Sequence, residues 1–207
     1  GETLELLARS RAVNSEGANG FKFVYEEMTW DPARTAVIVC DMWARHWCKS
    51  ASRRVAEMAP RVNRFVSRVR ENGVFIVHAP SGGMDHYSEH PARKRAQSAP
   101  RAANLPEGIG TWCHEIEAEE DAKWPLDQED GGCDDQPPCS QGNMDRHQIG
   151  AIEIDEGDAI SDSGKEIWSL FEQRGIENVM LVGVHTNMCV MGRPFGLRNM
   201  VRFGKRV

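Results

Sequence analysis

Short, nearly continuous apolar runs alternate along this chain with segments of helical periodicity. The three clearest runs are TAVIVCD at 35–41, VFIVHA at 74–79 and NVMLVGV at 178–184. Apolar runs of this length, without polar alternation, are typical of strands that are buried on both faces of a parallel sheet. We therefore predict three central strands, with a further short strand at AIEI, 151–154.

Helices are predicted between these strands. The first carries apolar residues spaced by threes and fours, with a kink or a restart at Pro60 and a C-terminal cap at Gly73. A second begins at SGKE, 163–166, where Ser163 caps the helix and Glu166 reaches back, and it ends at Gly175. A helical segment after the last strand is expected to run to about residue 203, with GKRV opening one more strand. The stripe of the first helix consists of Val55, Met58, Val62, Phe65, Val66 and Val69.

This order of elements predicts an α/β fold, a three-layer sandwich with a mostly parallel sheet and helices on both faces. Residues 1–30 have weak periodicity and are interpreted as an N-terminal arm, followed by one domain over 31–207. Residues 80–148 are rich in Gly, Pro, Asp and Glu and are interpreted as a large loop insertion that forms the walls of a site. Because residue 207 lies in the first residues of a predicted strand, a C-terminal strand and helix are expected to be missing.

Length, net charge and the length of the apolar runs limit the kinds of molecule that the protein is expected to bind. The chain has 207 residues, which suits one domain with a sizeable core. Its formal net charge of −6 disfavours a nucleic-acid binder, and its apolar runs fall short of the roughly 18 residues of a membrane span. We therefore expect a small-molecule substrate, no nucleic acid and no membrane. Gly1 stands in place of Met, so the compartment stays open: cytoplasmic, or exported if a signal peptide was removed.

Two of the cysteines share a turn-rich loop, GGCDDQPPC, which contains Cys133 and Cys139. Two free thiols are the simplest interpretation, and a local disulfide is the alternative if the protein is exported. A zinc site is the third interpretation, although the sequence has no second Cys/His pair with matching spacing. The six cysteines of the chain are Cys40, Cys48, Cys113, Cys133, Cys139 and Cys189.

Two residues at the ends of predicted strands could carry chemistry. Asp41 ends the first predicted strand, and Cys189 follows the strand at 178–184, in the segment HTNMC. Because sites in parallel sheets form at the carboxyl ends of the strands, the two side chains are expected to meet there. A helix N-terminus would favour a thiolate at Cys189, and a carboxylate could take and return a proton. The alternative from the pattern alone is a buried thiol and a helix-capping Asp.

Both residues lie in segments that resemble a known superfamily. VIVCDMW and ENVMLVGVHTNMCV are similar to the two signature segments of the isochorismatase-like cysteine hydrolases, which include nicotinamidases and N-carbamoyl amidohydrolases. The resemblance covers about 35–78 and 150–207, and the middle of the chain does not match closely. The most specific pattern, GV-x-T-x-x-CV, is made here by Gly183, Val184, Thr186, Cys189 and Val190.

The resemblance implies hydrolysis of a C–N bond in a small amide or carbamoyl substrate. Cys189 would attack the carbonyl carbon and form a thioester, with Asp41 as proton acceptor. The backbone N–H groups of His185 and Cys189 would hold the oxyanion, and a cis peptide bond is implied between Val184 and His185. The resemblance requires no cofactor and favours a homo-oligomer.

The catalytic lysine of the superfamily has no counterpart at its expected place. That place, just after the third predicted strand and before the turn at Gly175, falls near Asp155 and Glu156. Lys165 comes too late and lies inside the predicted helix. The role of the lysine is therefore left unassigned, and a residue from the insertion is one candidate for it.

Nicotinamidases of this superfamily bind a divalent ion through an Asp/His cluster after the second strand. This chain offers His78, Asp85, His86 and His90 there, but their spacing does not reproduce that of the family. We therefore assign no metal ligands, and a divalent metal stays a possibility.

Three residues are expected to line the pocket: His46, His78 and Arg193. Arg193 could reach a substrate carboxylate or a neighbouring acid, and Pro194 predicts that the helix beside it is kinked or begins late. The basic run ARKR at 92–95 is interpreted as a solvated loop, with an anion-binding role as the alternative.

The favoured hypothesis is a cysteine hydrolase that cleaves a C–N bond through a thioester on Cys189. One alternative is a family member that has lost catalysis and serves as a binding scaffold. Another is vinyl-ether hydrolysis of the isochorismatase type, which does not require a Cys nucleophile.

Overall fold

The protein is described by a computed structural model that covers residues 3–14, 16, 20–120, 122–124, 126–127 and 132–207. The strands are β1 (Leu4–Val13), β2 (Phe21–Trp30), β3 (Thr35–Cys40), β4 (Trp43–Arg45), β5 (Phe75–Ala79), β6 (Asp145–Gln148), β7 (Ala159–Ile160) and β8 (Asn178–Gly183). The α-helices are α1 (Lys49–Glu71), α2 (Pro91–Ser98), α3 (Gly164–Arg174), α4 (Cys189–Gly192) and α5 (Leu197–Arg202).

A four-stranded parallel sheet with the order β7-β5-β3-β8 forms the centre of the fold. Strand β3 lies between β5 and β8, with Cys40 opposite Ala79 on one side and opposite Gly183 on the other. All six residues of β3 are buried, as its unbroken apolar run predicts. The carboxyl ends of β3 and β8 therefore lie side by side, which places the residues that follow them at one edge of the sheet.

Helices cover both faces of this sheet, which confirms the predicted α/β sandwich. Val37 and Val39 of β3 pack with the apolar stripe of α1. Their neighbours Ala36, Ile38 and Cys40 point to the opposite face and pack with residues of α2, α3 and α5. The alternation of side chains along one strand thus supplies both cores.

Helix α1 confirms the first predicted helix, but it does not restart at Pro60. It runs without a break through that residue. The missing N–H of Pro60 leaves the carbonyl of Ala56 without its helical donor, and both residues are exposed, so water is able to bind there. Gly73 has a φ of +93° and lies just after the C-cap Asn72, where a left-handed residue ends a helix.

The N-terminal arm is a β-hairpin, which its weak periodicity does not indicate. Strands β1 and β2 pair antiparallel over their full length, from Leu4 opposite Trp30 to Val13 opposite Phe21. Much of the hairpin is exposed on both faces, so its sequence shows no clean alternation. The ring of Phe21 lies 5.7 Å from that of Trp124, edge to face.

The segment 80–148 contains more regular structure than the predicted insertion. The basic run ARKR lies in helix α2 and not in a solvated loop. Its Arg93 is buried and donates to the carboxylate of Glu166 and to the carbonyl of Ile160. The run is therefore a structural link between α2 and the start of α3.

In chain order, the third strand of the central sheet is β7, at Ala159–Ile160. The strand predicted at 151–154 is therefore wrong. Ser163 caps α3 as predicted, because its Oγ accepts from the Glu166 N–H at 3.4 Å. The Glu166 carboxylate, however, binds Arg93 in place of the cap N–H. The helix ends at Gly175 with a φ of +65°.

The C-terminal segment forms two short helices, α4 and α5, where one helix was predicted. Pro194 lies between them and breaks the hydrogen-bond ladder. After α5, Arg206 forms a parallel bridge with Asn178 of β8, which agrees with a strand beginning in GKRV.

No helix in the described part of the chain combines the length and the hydrophobicity that crossing a bilayer requires.

Candidate active site

Asp41 is held rigidly at the end of β3. Its side chain is buried, and its carboxylate accepts from the Ser81 N–H at 2.7 Å and from the Ser81 hydroxyl at 2.8 Å. Its backbone has a φ of +50°, the left-handed region that Asp and Asn tolerate better than other residues with side chains. This turn directs the chain away from the sheet immediately after the strand.

The end of β8 approaches the end of β3 so closely that only glycine fits there. Gly183 has a φ of +124°, and a Cβ at this position would lie 1.9 Å from the carbonyl oxygen of Cys40. The next residue, Val184, donates its N–H to the same oxygen at 3.0 Å. The bond between Val184 and His185 is a cis peptide, as the family resemblance implies.

Cys189 is the first residue of α4 and is partly exposed. Its thiol lies near Asp41, because β8 and β3 end side by side, with Gly183 opposite Cys40. Burial raises the pKa of the Cys189 thiol to about 12, and the neighbouring charge of Asp41 raises it as well. The resting pair is thus a neutral thiol beside a carboxylate.

This state differs from the thiolate that a helix N-terminus was expected to favour. Helix α4 is only one turn long, so its dipole is weak beside the full charge of the Asp41 carboxylate. Cys40, whose pKa is also raised by burial and by Asp41, contacts the same carboxylate at 3.8 Å. The site holds its thiols protonated and places the base against them.

Arg193 supplies a positive charge to this pair. Its charge lowers the pKa of Cys189, against the larger effects of burial and Asp41. The guanidinium carbon lies 4.9 Å from the centre of the Trp112 ring. Its Nε is buried and has no hydrogen-bond partner among the described residues.

The residues directly after the observed third strand include no lysine either. Strand β7 ends at Ile160, and the next residues are Ser161 and Asp162. Lys94 pairs with Glu89, and the side chain of Lys165 packs beside Gly110. Arg193 is the cation that acts on Cys189 in this structure.

A pocket of about 330 Å³ opens beside the site. His185 and Met188, from the turn that leads to Cys189, form one side, although Cys189 itself is not among the lining residues. His46 is on the wall, as predicted, and its ring lies 4.7 Å from that of Trp43 and 6.0 Å from that of His185. The full lining is His46, Trp47, Cys48, Ala51, Arg54, Gly132, Cys133, Asp134, His185, Asn187 and Met188.

His78 is in the core and not on the pocket wall, so that prediction is wrong. It is fully buried in the middle of the sheet. Its Nδ1 lies 2.8 Å from the Gln148 side-chain oxygen and its Nε2 lies 3.0 Å from Asp158. Strand β5 therefore uses its histidine to hold other elements together.

The histidines after β5 make contacts within the protein. His86 stacks on His147 at 3.7 Å, and His90 caps α2 by accepting from the Ala92 N–H. Among the described residues, the group that lies close enough to share one ion consists of Cys48, Cys133 and Asp135. This group borders the pocket through its two cysteines.

Sequence reasoning missed two residues that complete the site. Ser81 binds both oxygens of Asp41, and its position just after β5, at the same sheet edge, is a signal that could have indicated it. Trp112 stacks on Arg193 from the middle of the chain, where no pattern indicates its position.

No family model and no curated protein matches this chain. Among solved structures, it is similar to a cysteine hydrolase from Pseudomonas syringae pv. phaseolicola 1448A, with 17% sequence identity and a TM-score of 0.43. The match covers 84% of this chain and 70% of that chain. At this level of identity the likeness concerns the fold alone.

Proposed function

We propose that the protein is a cysteine hydrolase that cleaves a C–N bond in a small amide or carbamoyl compound. The observation that carries the proposal is that Asp41 and Cys189 follow the adjacent strands β3 and β8 at the carboxyl edge of the sheet, where the carboxylate acts on the thiol. A nucleophile with a base in hydrogen-bond reach is the minimum arrangement for covalent acyl transfer. The resemblance of both motifs to the cysteine hydrolases supports the same reaction.

The first half-reaction begins from the neutral pair. As Cys189 Sγ attacks the substrate carbonyl carbon, its proton moves to Asp41, so no free thiolate has to accumulate. The backbone N–H groups of His185 and Cys189 hold the negative oxygen of the tetrahedral intermediate. The C–N bond then breaks, Asp41 returns the proton to the nitrogen, and ammonia or an amine leaves.

The second half-reaction releases the product and restores the enzyme. Water attacks the thioester carbon while Asp41 takes its proton, and the C–S bond breaks as the acid is formed. Cys189 recovers its proton from Asp41. Ser81 keeps the carboxylate in place through both steps by donating two hydrogen bonds to it.

Arg193 takes the electrostatic role that a lysine has in the superfamily. When Asp41 accepts the proton it loses its charge, and the negative charge shifts to the sulfur and then to the oxyanion. A cation near the sulfur stabilises this charge more than it stabilises the neutral resting thiol. Trp112 fixes the plane of the guanidinium.

The test is an assay of ammonia release over a panel of primary amides, ureas and N-carbamoyl amines. We expect at least one compound to be hydrolysed by the wild-type protein, and Cys189→Ala and Asp41→Asn to abolish that activity. Cys113→Ser, which alters another buried thiol, serves as the matched control and should retain activity. Mass spectrometry of the quenched reaction should find the acyl group on Cys189.

The rival functions give different results in the same assay. Ammonia release that survives Cys189→Ala would rule out the thioester route. Vinyl-ether hydrolysis breaks a C–O bond and releases no ammonia, so that rival predicts turnover of an enol ether and none of the panel. Absence of both activities, with no acyl adduct on Cys189, would favour a binding scaffold. Arg193→Lys should retain more activity than Arg193→Gln, because it keeps the charge beside the sulfur.

A further inference from the structure

Three cysteines and one aspartate from two distant segments converge beside the pocket. Cys48 stands at the start of α1, whereas Cys133, Asp135 and Cys139 belong to the loop at 132–140. One carboxylate oxygen, Asp135 Oδ2, lies 3.6 Å from Cys48 Sγ, 3.3 Å from Cys133 Sγ and 3.5 Å from Cys139 Sγ. Three thiols therefore surround a single oxygen atom.

The three sulfur–oxygen separations match edges of a tetrahedral metal site, although the Cys139 sulfur would have to approach the group of Cys48, Cys133 and Asp135 to complete it. With zinc–sulfur bonds of about 2.3 Å and zinc–oxygen bonds of about 2.0 Å, the sulfur–oxygen edges of a tetrahedron are about 3.5 Å. All three observed sulfur–oxygen distances lie within about 0.2 Å of that edge. The Cys48 and Cys133 sulfurs are 3.0 Å apart, so this edge would open to about 3.8 Å around an ion.

The surroundings of the cluster are those that a metal-binding carboxylate needs. Asp135 Oδ2 also accepts the N–H of Ser50 at 2.8 Å, which orients the carboxylate while leaving it a second lone pair. Arg53 lies 3.5 Å from the other oxygen of Asp135, and Arg54 pairs with Asp134 at 2.9 Å. These two arginines of α1 offset the negative charge of three thiolates and a carboxylate.

We propose that Cys48, Cys133 and Asp135 bind one zinc-class divalent cation, and that Cys139, whose sulfur lies 3.5 Å from the same carboxylate oxygen, moves in as the fourth ligand. A set of three thiolates and one carboxylate oxygen favours zinc over the hard cations magnesium and calcium, which take oxygen ligands. Binding releases the protons of the three thiols to solvent and requires no oxidant or reductant. By binding ligands from both segments, the ion cross-links the 132–140 loop to the start of α1.

The site is separate from the Cys189–Asp41 pair but affects the same pocket. Cys48, Cys133 and Asp134 line the pocket together with His185 and Met188. A metal at the cluster therefore fixes one wall of the pocket without touching the reacting atoms. Its role is structural, and its existence does not depend on the proposed hydrolysis.

The test is metal titration of the reduced, metal-free protein with Co²⁺ and Zn²⁺. We expect one tightly bound ion per chain, thiolate-to-cobalt charge-transfer absorption, and displacement of Co²⁺ by Zn²⁺. Cys139→Ser should weaken binding by about 100-fold or more, because the loss of an outer-shell partner alone costs 10–100-fold. This variant keeps Cys48 and Cys133, so it separates a metal site from a disulfide between those two residues.

A matched pair of variants tests the carboxylate. Asp135→Asn should weaken metal binding strongly, whereas Asp134→Asn, which alters the adjacent carboxylate, should weaken it far less. Equal metal uptake by wild type and Cys139→Ser, or equal effects of the two Asp variants, would overturn the proposal. A Cys48–Cys133 disulfide, found by non-reducing mass spectrometry in a protein that binds no metal when reduced, would overturn it too.

Discussion

The protonation state of Cys189 is the feature of single residues that most constrains the chemistry. Burial and the charge of Asp41 raise the pKa of its thiol to about 12, so thiolate is scarce at neutral pH. Nucleophilic cysteines that rely on a preformed thiolate have lowered pKa values instead. The pair therefore depends on proton transfer during attack, and the base that enables catalysis also suppresses the intrinsic reactivity of the thiol.

Replacing Asp41 should therefore change alkylation of Cys189 and substrate hydrolysis in opposite directions. Asp41→Asn removes the charge that raises the pKa of Cys189, so we expect faster alkylation by iodoacetamide but no hydrolysis. The rate at a fixed pH should rise about tenfold for each unit by which the pKa falls. Peptide mapping of alkylated Cys189 over a range of pH measures this shift.

Arg193 provides a control for the alkylation experiment, because its effect on the pKa of Cys189 is opposite to that of Asp41. It lowers the pKa of Cys189, so Arg193→Gln should slow alkylation and Arg193→Lys should largely preserve the wild-type rate. If Asp41→Asn slowed alkylation of Cys189 as much as Arg193→Gln, the electrostatic account of the pair would be wrong.

Gly183 is the residue whose backbone sets the geometry of the site. A Cβ there would overlap the Cys40 carbonyl, and the φ of +124° is accessible to almost no other residue. Gly183→Ala should lower the free energy of unfolding by about 3 kcal/mol or prevent folding. Gly150→Ala is the control, because a Cβ at Gly150 meets open space. Urea unfolding compares the two variants, and a Gly183→Ala protein as stable as the Gly150→Ala protein would contradict the prediction.

At the scale of elements, burial decides which of them could be predicted. Strands β3 and β5 carry continuous apolar runs because both of their faces are covered, so periodicity is sufficient to place them. Helix α2 has no such stripe. Its Arg93 is buried only because Glu166, which is distant in sequence, lies beside it. A pairing of this kind depends on tertiary structure and leaves no local pattern.

The same distinction applies to the site. Asp41 and Cys189 could be predicted to meet because each follows a buried strand of the same parallel sheet. The thiol cluster could not be predicted, since the sequence pairs Cys133 with Cys139 locally and gives no reason to add Cys48. Folding brings that residue to the loop at the start of α1.

Helix α3 offers a test of a capping prediction made from sequence. Ser163→Ala removes the acceptor for the Glu166 N–H and should lower the free energy of unfolding by about 1 kcal/mol. The exposed Ser10 of β1 provides the control variant, Ser10→Ala, with an expected change near zero. Thermal or urea unfolding of both variants measures the difference, and equal losses would show that the cap contributes nothing specific.

At the scale of the whole molecule, a buried polar network joins elements on both sides of the sheet edge. His78 of β5 contacts Asp158 at 3.0 Å, and Arg70 of α1 contacts the same carboxylate at 2.7 Å. Gln148 of β6 binds the other ring nitrogen of His78. Helix α1, two strands and the loop before β7 therefore depend on one carboxylate.

This carboxylate makes the stability of the protein sensitive to acid. Burial raises the pKa of Asp158, but the hydrogen bonds from His78 and Arg70 outweigh burial and hold the pKa below its ordinary value. The unfolded chain, with a carboxyl pKa of about 3.9, then binds a proton at a higher pH than the folded protein does. The stabilisation is thus complete at neutral pH and is lost as the pH falls through the lowered pKa.

Asp158→Asn should therefore change both the size and the pH dependence of stability. At pH 7 we expect a loss of about 3 kcal/mol, because the substitution removes one partner of a buried ion pair. Between about pH 5 and pH 2 the variant should lose less further stability than the wild type, since the group that titrates is absent. Urea unfolding at a series of pH values measures both effects.

The exposed Glu153→Gln variant is the control, and it should follow the wild-type curve. Parallel curves for wild type and Asp158→Asn would show that this network does not set the acid limit of the fold.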